Sequence, residues 1–95
     1  MRLRLSFRAR ADLVHIFDYG RKEFGELIAS NYLRKIQHIL SLIEHQPQMA
    51  PLHPELGEAM RLHPVGSHVV VYEIEDQQIV VIRILRGEQN WSEHL

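Results

Sequence analysis

Met60-Arg61-Leu62-His63-Pro64-Val65-Gly66-Ser67-His68-Val69-Val70-Val71-Tyr72-Glu73-Ile74-Glu75-Asp76-Gln77-Gln78-Ile79-Val80-Val81-Ile82-Arg83-Ile84-Leu85 is the stretch that decides the fold. Three runs rich in β-branched residues are separated by short polar turns, the pattern of an antiparallel meander. The strands are expected at residues 59–64, 68–74 and 79–85. The run from His68 is apolar at successive positions, so both of its faces should be covered and its place in the sheet central. The turn at Asp76-Gln77 lacks glycine, which leaves its type open. Arg61 and Arg83 stand inside runs that should be buried. An unpaired buried charge is costly, so each of them needs a partner.

Upstream, Leu3 and Leu5 alternate with Arg2 and Arg4, which fits a short strand with one buried face. Ser6 has the character of an N-cap. Ala9, Leu13, Ile16, Phe17, Gly20 and Phe24 then recur at three- and four-residue steps and mark one face of a helix, with Gly25 just past its end. Ile28, Tyr32, Ile36, Ile39, Leu40 and Ile43 mark a second amphipathic helix, ended by Pro47. Pro47, Pro51, Pro54 and Gly57 make residues 46–57 an irregular but ordered crossing. The expected fold is α+β: an N-terminal strand, a two-helix hairpin and a three-stranded antiparallel meander, forming one small sheet covered by the helices.

At 95 residues with 45% hydrophobic content, the chain is expected to form a single domain spanning residues 1–95. No apolar run approaches the roughly 20 residues of a membrane span, and the opening residues do not resemble a secretory signal. The absence of cysteine excludes disulfides, a thiolate nucleophile and cysteine-ligated zinc. These features point to the cytoplasm. The net charge of −1 does not suit a general nucleic-acid binder, although Arg2, Arg4, Arg8 and Arg10 make the N-terminus basic.

The order of elements resembles the RelE/ParE superfamily of bacterial toxins from type II toxin–antitoxin operons, on the ParE side. Leu5-Ser6-Phe7-Arg8-Ala9-Arg10-Ala11-Asp12-Leu13-Val14-His15-Ile16-Phe17-Asp18-Tyr19 is similar to the family's opening strand and its R-A-x-x-D-L-x-x-I-x-x-Y helix. Phe24-Gly25 and Tyr32-Leu33 fall where the helix break and second helix usually lie. Residues 61–72 resemble the R-x-x-x-V-G-x-H-V-V-x-Y segment, and Ile82-Arg83-Ile84-Leu85 the last strand. Many relatives continue with leucine–histidine–glycine, two basic residues and an aspartate. Here Arg86 stands at the histidine position and Glu88-Gln89 at the basic pair.

The resemblance implies a toxin that arrests growth by inhibiting DNA gyrase, with no catalysis and no cofactor required, and that forms a hetero-oligomer with a neutralising antitoxin. Direct sequence-specific nucleic-acid binding and membrane association are not expected. Arg61, Arg83, Arg86 and Trp91 are the expected partner-binding residues. Arginine's planar fork suits carboxylates, within the fold or on a partner, and tryptophan anchors interfaces. Trp91 has an alternative role as a lid on the core. Leu27 and Leu33 either receive an antitoxin segment or complete the contact between the helices.

A ribosome-dependent mRNA endonuclease of the RelE type is the alternative. It would need a base, an acid and cations around a phosphate, drawn from Arg61, His63, His68 and Arg83. Glu88, where a cation would serve, weighs against it. A non-toxic relative retained for antitoxin binding is the third reading. The seven histidines show no metal-ligand spacing, so no metal site is expected.

Overall fold

The computed structural model describes residues 1–95. Strand β1 (Arg2–Leu5) leads into helices α1 (Phe7–Phe24) and α2 (Glu26–His45), followed by strands β2 (Arg61–Val65), β3 (His68–Glu75) and β4 (Gln78–Arg86). A turn of 3-10 helix, Trp91–His94, lies beyond the last strand. The strands form one sheet in the order β1-β4-β3-β2, with β1 parallel to β4 and the other pairs antiparallel. This is the α+β arrangement read from the sequence, with strand ends displaced by only a residue or two. No helix is long and apolar enough to cross a membrane.

Local chemistry explains the joints. The Ser6 hydroxyl accepts the Ala9 N–H at 3.0 Å, the capping bond that starts α1. Gly25 ends that helix at φ +88, donating its N–H to the Arg21 carbonyl. Asp76 and Gln77 adopt φ of +48 and +63, so the β3–β4 turn is type I′ without a glycine. Asp tolerates the left-handed region better than most residues, and the I′ twist matches the strands it joins. The crossing from α2 to β2 is held from the sheet side. Tyr72 donates its hydroxyl to the Pro47 carbonyl at 2.8 Å, and Arg61 Nη1 donates to the Ala50 carbonyl at 2.6 Å.

Both faces of the sheet are apolar. Ala9, Ile36 and Ile43 of the helices meet Val65, Val70, Tyr72, Ile79, Val81 and Ile84 on one face. On the other, Leu62, Val69, Val71 and Leu85 are covered by Leu56, Met60, Trp91 and Leu95. Strict alternation along β4 cannot place both Val81 and Ile84 toward the helices. A β-bulge resolves this: Val71 pairs with Arg83 and Tyr72 with Val81, leaving Ile82 as the extra residue. The inward face therefore steps from Val81 to Ile84, and Arg83 and Leu85 turn to the opposite side. The uniformly apolar run gave no sign of this step.

The two helices are buried unequally along their length. Inward residues near the base are fully buried, as at Ile36 and Ile43 (both 0% exposed), whereas Phe24, Leu27 and Ile28 near the hairpin tip are 60%, 72% and 55% exposed. Leu27 therefore does not complete the helix–helix contact, while Leu33 is half-buried. Gly20 lets the arm close: a Cβ there would stand 3.4 Å from that of Ala29.

Gly66 has φ +57, and a Cβ would come within 2.6 Å of the Tyr32 ring. At Gly25 the conformation is also left-handed but the surroundings are open. Gly25→Ala is expected to cost about 1–3 kcal/mol from conformation alone. Gly66→Ala should cost more because Tyr32 must also move; the two urea midpoints test that order. Ile36→Ala should lower stability by about 2–5 kcal/mol in the same assay.

Candidate functional site

Ser6 and Asp12 bring α1 and β4 together. Beyond Leu5, β1 has ended while β4 continues, which would leave a bare strand edge. Ser6 closes the first part: its N–H donates to the Val81 carbonyl at 2.9 Å and its hydroxyl to the Ile82 carbonyl at 2.7 Å. Asp12, in the second turn of α1, closes the second. Its Oδ2 accepts the Ile84 N–H at 2.9 Å and Arg83 Nε at 2.7 Å, while Oδ1 accepts Arg83 Nη2 at 2.8 Å. Arg83 Nη1 donates to the His94 carbonyl at 3.0 Å, tying in the C-terminal turn. The ion pair is mostly withdrawn from water, with side chains 13% and 14% exposed. The hydrogen bond to Asp12 raises the Arg83 pKa above its ordinary value and outweighs desolvation.

Arg83 is thus engaged within the chain. It also lies opposite Val71 on the outer face of the sheet, so the residue across from His68 is Arg86 and not Arg83. Arg61 meets no carboxylate: it donates to the backbone carbonyls of Ala50 and, at 3.4 Å, Gln48. His63 lies on edge strand β2 with Nδ1 on the Pro64 carbonyl at 2.7 Å. Arg86 is largely exposed, with Glu88 3.8 Å from its guanidinium. Trp91 is half-buried over the outer apolar face and donates its indole N–H to the Arg86 carbonyl at 3.2 Å. Arg61, His63, His68 and Arg83 are therefore not gathered around one point. No group of three or more His, Cys, Asp or Glu side chains is placed to hold a metal ion.

A second cluster escaped the sequence reading. His68 Nδ1 lies 2.6 Å from the Tyr32 hydroxyl, which also accepts the Ser67 N–H at 3.0 Å and lies 3.2 Å from the Val65 carbonyl. Tyr32 could be read as one more apolar residue on the α2 stripe; the nearby Gly66 was the only hint that something must pass close to the turn. The Asp12 contact did leave a signal, because an acid three residues after Ala9 falls on the inward side of α1.

With this geometry in view, the chain matches the family described as the ParE toxin of type II toxin–antitoxin systems over residues 3–91. It is 35% identical to Toxin ParE1 of Caulobacter vibrioides over 92 residues, covering 97% of this chain and 95% of that one. It is 27% identical to Toxin ParE1 of Mycobacterium tuberculosis over 92 residues, covering 96% and 94%. A solved structure described as the chromosomal ParDE toxin–antitoxin system from P. aeruginosa superposes with a TM-score of 0.82 at 20% identity, covering 93% and 97% of the two chains. The chain belongs to the ParE toxin family of type II toxin–antitoxin systems.

Asp12→Ala leaves the Arg83 charge and the Ile84 N–H without their partner. It should cost about 3–5 kcal/mol, as breaking a mostly buried pair does. Replacing both by apolar residues (Asp12→Leu with Arg83→Met) should cost less than that single change, which a double-mutant cycle in urea reads directly. The His68 pKa is lowered, first by burial and then by the Arg86 charge, with Glu88 and Asp12 opposing. The folded chain thus binds this proton less readily than the unfolded chain, whose value is about 6.5. Above that value His68 costs nothing; as pH falls below it, stability declines until the depressed folded value is passed. Urea midpoints at about pH 5 and pH 7.5 should differ in this direction, and His68→Gln should reduce the difference.

Proposed function

We propose that this toxin arrests growth by binding and inhibiting DNA gyrase in the cytoplasm, and that a cognate antitoxin neutralises it by folding onto its surface. The observation that carries the non-catalytic reading is the closure of Arg83 on Asp12. Cleaving RNA through the 2′-hydroxyl needs cations free to receive the charge that develops on phosphorus. Arg83 has its fork on a carboxylate, and the exposed Arg86 has Glu88 beside it. His68 has the Tyr32 hydroxyl beside it, but that hydroxyl is already engaged by the Ser67 N–H and the Val65 carbonyl. Gyrase as the target follows from the resemblance to ParE toxins.

The antitoxin reading draws support from exposed apolar side chains on the helices: Phe7, Val14, Phe24, Leu27 and Ile28 are each more than half exposed. Exposed apolar surface of this kind suits a partner segment that pays its ordering entropy on binding. Arg61 has donors beyond those used on the crossing, and Arg86 is open to solvent. Both can receive acidic residues of the antitoxin, with Trp91 at the edge of the contact. Arg61→Glu is expected to weaken the toxin–antitoxin complex about tenfold or more in calorimetry, roughly 1.4 kcal/mol.

The deciding experiment is pulse-labelling of DNA and protein synthesis just after this chain is induced in a bacterial host without its antitoxin. DNA synthesis should fall first, with filamentation. An earlier fall in protein synthesis would overturn the gyrase reading and turn attention to His63, His68 and Arg61 as catalytic groups. Unimpaired growth would mark a non-toxic relative.

A further inference from the structure

The Tyr32 hydroxyl has one proton and two lone pairs, and three polar neighbours compete for them. The Ser67 N–H takes one lone pair. What remains depends on His68. When His68 is neutral with Nδ1 bare, Tyr32 donates to it across 2.6 Å and the Val65 carbonyl, at 3.2 Å, is poorly served. When His68 is protonated, Nδ1 becomes the donor, the hydroxyl accepts it, and the Tyr32 proton passes to Val65. Both arrangements satisfy the hydroxyl, so α2 stays bonded to the β2–β3 turn in either state. The tilted ring contact at 5.5 Å between centroids keeps the two side chains together.

The difference between the states is felt on β4. Arg86 is the ladder partner of His68, and three links to the C-terminal segment converge on it. Its N–H donates to Gln89 Oε1 at 2.7 Å, its carbonyl accepts the Trp91 indole at 3.2 Å, and its guanidinium has Glu88 at 3.8 Å. A proton on His68 sets a second cation against Arg86. Glu88 on the tail and Asp12 on α1 are the acids that oppose this, and Asp12 is already committed to Arg83.

We propose that Tyr32, His68 and Arg86 form a proton-operated latch: with His68 neutral the turn carrying Trp91 lies down on the sheet, and with His68 charged Arg86 is pushed away and that turn loosens. The latch regulates access to Leu62, Val69, Val71 and Leu85, the outer apolar face that Trp91 and Leu95 help cover. The device is independent of whether gyrase is the target.

The lone tryptophan makes the idea measurable on the full chain. The His68 imidazole is titrated by NMR while Trp91 emission is followed over the same pH range. A red shift of Trp91 on acidification, with the same midpoint as His68, is expected. His94 also lies near the tail, with Nε2 3.3 Å from Gln89 Nε2, so His94→Gln must keep the step whereas His68→Gln must abolish it. Arg86→Gln should move the His68 midpoint upward. Trp91 emission that stays flat while His68 titrates overturns the proposal, as does a step that survives His68→Gln. Should His68→Gln fail to fold, Tyr32→Phe serves instead. It keeps the ring and should speed exchange of the Ser67 amide; unchanged exchange there overturns the hydroxyl's part in the latch.

Discussion

The carboxylate of Asp12 is the constraint on which the rest depends. A four-residue β1 cannot cover a nine-residue β4, and the unpaired remainder would be an open edge beside the first helix. Asp12 answers two needs at once. It accepts the backbone N–H of Ile84, and it neutralises Arg83 at a place where water is largely excluded. Because Arg83 also holds the His94 carbonyl, one acid on α1 fixes helix, strand and C-terminal turn together. Ser6 does the same at smaller scale, capping α1 and serving β4 with a single hydroxyl.

The sheet is sandwiched unequally. Two long helices cover one face; a short 3-10 turn and part of the α2–β2 crossing cover the other. The second cover is thin, and its hold on the sheet runs through backbone carbonyls at Arg86 and His94. At the opposite extreme, the tip of the helical hairpin leaves apolar side chains in water. Local opening should concentrate at these two places, where few buried contacts resist it.

Much of the fold was legible because hydrophobic period and turn chemistry agreed. The meander, both helices, the Ser6 cap and the Gly25 break all follow from local rules that tertiary contacts do not override. The demand that Arg83 have a partner was legible too, but not its identity, since Asp12 lies 71 positions away. Arg61 shows the limit of reasoning from charge alone: carbonyls of an irregular loop satisfied it, and loop carbonyls leave no mark in a sequence. The Tyr32–His68 contact was hidden for a related reason. A tyrosine on an apolar stripe is read for its ring, while its hydroxyl reaches past the helix to a turn 35 residues on.

The bulge at Ile82 divides β4 into two reading frames. Before it, odd-numbered residues face the helices; after it, even-numbered ones do. Straightening the bulge, so that Ile82 joined the regular ladder, would carry the first frame through the strand, swing Arg83 into the oily interior and turn Ile84 out, breaking the Asp12 contact without altering either partner. A segment that looks like interchangeable aliphatics therefore carries a change of phase, and the extra residue at Ile82 is what lets Arg83 and Ile84 keep their present faces.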